Sequence, residues 1–303
     1  MRVFLLILAA IQTCAQTTLS PTAEFDLNGS HELRPDRAAR SYFVATPNGL
    51  TWVRISQNSV IFTSADLNGH ILYSTSDLAS VNTQVLGALL RDDGCAWLIA
   101  SGPYRLSGTS FPGDIAPYAD LDLYSPNNGK HLQFLRLLSP VGGWQTPIAA
   151  SHDQLVLLSA DQLRPKPQSQ LIHFGTVVNG AFQDRVDVRL APPISGLSLL
   201  APNGNLLFIN KQSGAIEIID PNAKSGSLVP PAKPQPVRAA GATTDSLYLL
   251  SSNSVLKTDF AGHLLSTYQL QFAHSFAPAA LGVTSNSLYL IDNSGHVERF
   301  QID

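Results

Sequence analysis

Eight histidines are the residues in this 303-residue chain best placed to hold a metal or move a proton near neutral pH. None stands in a His-x-x-x-His spacing or beside a cysteine pair, the arrangements that bring ligands together within one element. His70, His263 and His296 each follow a turn glycine, so recurrence of that turn accounts for them. Asp66-x-Asn68-Gly69 begins like a calcium loop but lacks the remaining ligands and the distant Glu. The sequence thus predicts no metal and no cofactor. Asp92, Asp93, Asp153 and Asp245 could pair as acid and base, yet all sit where Asp serves turn geometry. His31-Glu32 and Asp36-Arg37 are neighbours only along the chain. Gly-x-Ser-x-Gly, Walker and Rossmann patterns are absent, and no catalytic residue is assigned.

What must position such residues is a repeat. A strand of small and apolar residues, a turn with Asn, Asp or Ser, and a strand centred on a large residue recur six times. The central residues are Trp52, Trp97, Val156, Phe208, Tyr248 and Tyr289. They are separated by about 40 to 60 residues, a blade-sized period. The cleanest copies continue through two further strands, with turns at Ser252-Asn253-Ser254 and Phe260-Ala261-Gly262-His263. A lone blade cannot bury enough surface, whereas a ring of blades buries a core between each pair. The expected fold is therefore all-β, a six-bladed propeller of four-stranded antiparallel blades. The last copy supplies three strands, and Ala23 to Asn28, which belongs to no copy, is expected to complete it and latch the ring. The long third copy leaves room for an extra short blade between His173 and Val188.

Composition agrees with a folded domain: 44% of residues are hydrophobic and 14% charged. A net charge of -3 without a basic cluster argues against nucleic acid as a partner. Met1-Arg2 followed by the apolar run Val3 to Ile11 reads as a secretory signal, too short to span a bilayer. Cleavage after Ala15 would leave residues 16–303 as a single propeller domain, while lipid attachment at Cys14 is the competing processing route. Either implies a secreted or periplasmic protein without a membrane span, expected to be a monomer. Cys95 would then be the lone thiol, flanked by apolar residues and read as a small buried hydrophobe. Asn28-Gly29-Ser30 is a formal glycosylation sequon.

The succession of turn, aromatic strand, Asn-Ser turn, strand and Asp-x-x-Gly-His turn resembles the NHL type of propeller repeat, most clearly from Asn48 to Leu72 and from Asp245 to Leu264. WD40 and Kelch repeats fit less well, because there is no Trp-Asp pair and a single Gly142-Gly143. The resemblance implies the fold and a tendency toward binding. Related six-bladed rings include lactonases and lyases, so it leaves catalysis open.

One face of such a ring would carry the long Pro-rich segments Gly102 to Ala119, Ala160 to Gln168, Pro230 to Pro236 and Ser30 to Ala39. The opposite face would carry tight turns. Binding residues concentrate on loops fixed by a rigid frame, which makes the elaborated face the expected site. Tyr104, Arg105, Asp114, Tyr118, Trp144, Arg164, Lys166 and His274 are its candidate contacts. Each is also ordinary as a surface residue. The sequence points to a non-catalytic exported scaffold for a protein or carbohydrate, with a hydrolase or lyase at the central mouth as the alternative.

Overall fold

The computed structural model describes residues 16–303 except 32, 34–35, 37, 57–58, 77–83, 106–114, 139–142, 162–168, 191–195, 232–233 and 303; side chains within 84, 101–105, 115–119, 138, 143–145 and 160–161 are likewise outside the description. It is a six-bladed β-propeller. Blade 1 comprises β3 (Arg40–Thr46), β4 (Gly49–Ile55), β5 (Val60–Ala65) and β6 (Ile71–Thr75), and blade 2 comprises β7 (Gln84–Leu90), β8 (Ala96–Arg105), β9 (Ile115–Tyr124) and β10 (His131–Leu138). Blade 3 is β11 (Gly143–Ala150), β12 (Leu155–Asp161), β13 (Gln170–Val178) and β14 (Ala181–Leu190); blade 4 is β15 (Leu197–Leu200), β16 (Leu206–Ile209), β17 (Ile216–Asp220) and β18 (Ser225–Val229). Blade 5 contains β19 (Ala239–Ala242), β20 (Leu247–Leu250), β21 (Ser254–Thr258) and β22 (Leu264–Leu270). Blade 6 contains β23 (Ala280–Val283), β24 (Ser287–Ile291) and β25 (His296–Gln301), and β2 (Ala23–Asp26) completes it.

The latch forms as expected: β2 runs antiparallel to β25, with Glu24 opposite Glu298 and Asp26 opposite His296. Leu27, just beyond it, is fully buried in the seam between blades 6 and 1. An addition not foreseen is β1 (Gln16–Leu19), which lies parallel to β22 as a fifth strand of blade 5. The N-terminal segment therefore covers the outer edges of two adjacent blades, edges that would otherwise invite pairing with another chain.

Side-chain alternation explains why the second strands read as continuous apolar runs. Successive residues point to opposite faces, and both faces of a blade are buried by its neighbours. Leu50 and Trp52 pack toward blade 6, whereas Val53 and Ile55 pack toward blade 2. Leu288 and Leu290 face blade 5, while Tyr289 and Ile291 face blade 1. Each of the six seams has its own apolar cluster.

No extra blade lies in the long third copy. Residues 170–190 form one hairpin, β13 to β14, turning at Asn179-Gly180. Both turn residues have positive φ, 51° and 75°, as a two-residue hairpin matched to strand twist requires.

Candidate functional site

Connections from the second to the third strand, and from one blade to the next, emerge on the face that carries the long segments. On that face β8 and β9 rise above their blade. Pairing of β8 with the inner strand β7 extends only to Ser101, and β9 pairs with β10 only from Tyr118. Beyond these points, among the described residues, Gly102 to Arg105 pair solely with Ile115 to Tyr118, making a two-stranded ribbon with Pro103 opposite Pro117. The segment expected as a loop from Gly102 to Ala119 is thus strand at both ends. Proline lacks a backbone donor and is typical of strand edges.

Of the expected contacts, Tyr104, Arg105 and Tyr118 have their backbones in this ribbon, and Trp144 has its backbone in the inner strand β11. Asp114, Arg164 and Lys166 lie outside the described residues. His274 stands on the connection from β22 to β23, its side chain 75% exposed, away from the ribbon and next to Glu24. The six innermost strands, β3, β7, β11, β15, β19 and β23, carry no Asp, Glu or His.

Blade 3 assembles a chain of groups that spacing alone did not suggest. Ser159 on β12, His173 on β13 and Asp187 on β14 project from one face of three adjacent strands. His173 pairs in register with Leu157 and Asp187, and Ser159 is the diagonal neighbour. The Ser159 hydroxyl bonds His173 Nε2, and His173 Nδ1 lies 2.8 Å from Asp187. The order matches nucleophile, base and orienting acid. However, acyl transfer also needs backbone N–H donors converging near the nucleophile. Ser159 is paired in the ladder to Gln145 on one side and Leu171 on the other. Among the described residues the backbone around Ser159 is committed to the ladders, and with His173 only 7% exposed the three groups tie three strands of the blade together. Asp184 stands 3.6 Å from the same His173 nitrogen, and its carboxyl is raised chiefly by burial.

The opposite face is not featureless. A cleft of about 410 Å³ opens there between blades 2 and 3, lined by Arg91, Trp97, Gln133, His152, Thr176 and Arg185 among others. Asp93 accepts bonds from Arg91 Nη2 at 2.6 Å and His152 Nδ1 at 3.0 Å, while Asp92 accepts the His152 backbone N–H. Arg91 Nη2 also lies 2.7 Å from His152 Nδ1, so the three side chains form one cluster. Turn chemistry accounts for Asp93 in part, since it also caps the Cys95 N–H, but its role across the seam needed the fold. Cys95 is buried, with its thiol pushed up to about 11 by burial first and by the Asp93 charge second.

The three Asp-x-x-Gly-His turns are not equivalent. In two of them, Asp66 and Asp259 cap the His70 and His263 backbone N–H, and each exposed imidazole folds back 2.8 Å onto its own Asp. Those turns join third and fourth strands. The turn at Asp292 joins the second and third strands of blade 6 and so lies on the other face. Asp292 still caps the His296 N–H, but the His296 ring turns away, its Nδ1 3.0 Å from Asp26 of the latch. Its Nε2 then faces Glu24 Oε2 at 3.7 Å, within a group in which Glu24, His296 and Glu298 offer atoms all within 4.8 Å of one another. Glu298 is fully buried; burial, followed by the nearby Glu24 charge, raises its carboxyl against a bond from the Ala273 N–H. Period two in His296-Val297-Glu298 was the available signal. It became informative only with the register of the latch, which sets Glu24 opposite Glu298.

The fold and these sites define a six-bladed propeller. No family model matches the chain, and no curated protein does. Among solved structures it is similar to the catalytically inactive form of virginiamycin B lyase from Staphylococcus aureus solved with quinupristin, at 12% identity and TM-score 0.51, covering 93% of this chain and 99% of that one. It is also similar to a chain of the mitotic checkpoint complex, at 11% identity and TM-score 0.50, covering 100% of this chain and 97% of that one. At these identities the likeness is one of fold. No helix among the described residues is long and apolar enough to cross a membrane.

Proposed function

We propose that the protein is an exported, non-catalytic scaffold that binds a protein or carbohydrate through the face bearing the β8–β9 ribbon. The observation that carries this reading is the ribbon itself: Pro103 to Arg105 and Ile115 to Pro117 run beyond the inner and outer strands of the blade and, among the described residues, pair only with each other. Such an arm carries the backbones of Tyr104, Arg105 and, at its base, Tyr118 on paired strands. Aromatic and arginine side chains are those that most often anchor interfaces. The rival reading, an enzyme at the central mouth, would have to draw its acids and bases from loops, because the innermost strands supply none. Export rests on the signal-like residues 1–15, with release or lipid anchoring decided by processing at Ala15 or Cys14.

The test replaces residues 102–117 by a short turn joining Ser101 to Tyr118. Parent and variant are compared on a glycan array and by cross-linking in envelope extract. The expected result is a variant with an unchanged β-sheet spectrum that loses the parent's ligand. Retention of every parental ligand would sink the proposal.

A further inference from the structure

We propose that Glu24, His296 and Glu298, with His274 at the rim, form a binding site for one divalent transition-metal ion of the zinc type, which clips the latch strand to the last blade. Four buried side-chain polar atoms lack a hydrogen-bond partner among the described residues, and two of them, His296 Nε2 and Glu298 Oε2, belong to this group. Like charges directly opposite on paired strands repel, and Glu24 opposite Glu298 is such a pair. A buried carboxylate oxygen without a partner is costly, and the Ala273 N–H satisfies only the other oxygen of Glu298. His296 Nδ1 bonds Asp26, which in the neutral ring leaves Nε2 as an acceptor turned toward these two acids, and neither Nε2 nor Glu298 Oε2 has a hydrogen-bond partner among the described residues.

A cation resolves that conflict, and the donor set selects its class. One or two imidazoles with carboxylates suit zinc and related ions rather than calcium or magnesium, which prefer oxygen alone. Two distances to Glu24 come close to those of a tetrahedral site, and Glu298 lies within 4.8 Å of Glu24 and His296. His296 Nε2 and His274 Nε2 lie 3.7 and 3.5 Å from Glu24 Oε2. Ligands about 2.0–2.2 Å from a tetrahedral ion stand roughly 3.3–3.6 Å apart. The outer contacts also match a metal site: Asp26 orients His296 through the other ring nitrogen, as carboxylates do for ligating histidines. Phe276 packs edge-on against His296, and Phe272 bridges Phe276 to Phe300, which walls the group with apolar surface. Blade 3 shows the contrasting case. His173, Asp184 and Asp187 also cluster, but both nitrogens of His173 are hydrogen-bonded. The consequence is mechanical, since joining residue 24 to residue 298 closes almost the whole ring in one coordination sphere.

The experiment uses the chain from Gln16 onward, stripped with chelator and titrated with Zn²⁺ and Co²⁺. Binding of one ion per chain is expected, with visible Co²⁺ bands of a tetrahedral N/O site. At zinc a hundredfold above the dissociation constant the thermal midpoint should rise by about 5 °C. Glu298→Gln and His296→Gln should abolish both effects, and His70→Gln, in the exposed Asp-x-x-Gly-His turn on the opposite face, should leave them intact. Glu24→Gln, at a partly exposed position, is the additional variant if either of the first two fails to fold. Absence of stoichiometric binding, or binding that survives these substitutions in a folded variant, overturns the proposal.

Discussion

Blade 3 sets one histidine against two carboxylates and the seam between blades 5 and 6 sets one against three, and they treat the histidine in opposite ways. In blade 3 the imidazole sits between a hydroxyl that donates and a carboxylate that accepts, so Ser159, His173 and Asp187 form a satisfied chain across three strands. At the seam the strand carrying one acid comes from residues 23–26 and the strand carrying the other from residues 296–301, and the pairing sets acceptors against acceptors. The difference teaches that burial and residue type do not distinguish a structural cluster from a binding site. The hydrogen-bond accounting does. A satisfied cluster is a tie that stabilises by itself, whereas an unsatisfied one costs stability until a missing charge arrives.

The largest effect that sharpens this comparison concerns the latch. Leu27 is 0% exposed within the apolar cluster shared by blades 6 and 1. Leu27→Ala should cost about 3 kcal/mol in denaturant unfolding, since it deletes a buried side chain at the point where the ring closes. A loss below about 1 kcal/mol would mean that the latch contributes little to closure. Next in size are the two clusters. His173→Ala strands the Ser159 hydroxyl and the Asp187 carboxylate and should cost about 2 kcal/mol. Glu298→Gln, measured without metal, should have the opposite sign, stabilising by about 1 kcal/mol because it removes one of two facing carboxylates. Equal destabilisation by both would break the contrast.

A smaller effect compares two glycines with nearly the same backbone. Gly69 has φ +87° and Gly204 φ +85°, both in the left-handed region where a side chain is strained. A Cβ on Gly69 would meet the Phe25 ring of the latch at 2.3 Å, whereas one on Gly204 has nothing nearer than 3.9 Å. Gly204→Ala should therefore cost about 1 kcal/mol, the backbone strain alone. Gly69→Ala should cost about 1–2 kcal/mol more, and Phe25→Ala in the same chain should recover part of that excess.

Much of this architecture was legible because repetition amplifies weak signals. Six large residues recurring in apolar strands predicted the ring, and the unclaimed Ala23 to Asn28 predicted the latch. The Asn179-Gly180 turn was equally visible, and read as a hairpin it removes the need for an extra blade. The clusters were hidden for a physical reason. Side chains on adjacent strands meet through register, and register depends on turn lengths and bulges rather than on spacing along the chain. His70, His263 and His296 look alike in sequence because all three follow Gly. Only the strands that flank each turn decide whether the ring folds back onto its own Asp or reaches the latch.

The smallest expected effect comes from a third histidine–carboxylate cluster, which separates hydrogen bonding from burial. Burial pushes Asp93 upward, but the bond from His152, the Cys95 N–H and the Arg91 charge together outweigh it, leaving the carboxyl below its ordinary value. His152 is raised, first by its bond to Asp93 and against the opposing Arg91 charge. The two shifts act at different ends of the pH scale. A raised histidine stabilises the fold at pH below its unfolded value and loses that contribution as pH climbs through its folded value. A lowered carboxylate stabilises above its unfolded value and loses its contribution as pH falls through its folded value. The cluster should therefore contribute most between about pH 4 and pH 6.5. Unfolding midpoints of the parent should decline from pH 6 toward pH 8 more than those of His152→Gln, by a small margin because the imidazole is exposed and screened. Identical pH profiles would show that an exposed pair of this kind contributes nothing measurable, which would leave burial, and not pairing alone, as what gives the blade 3 tie its value.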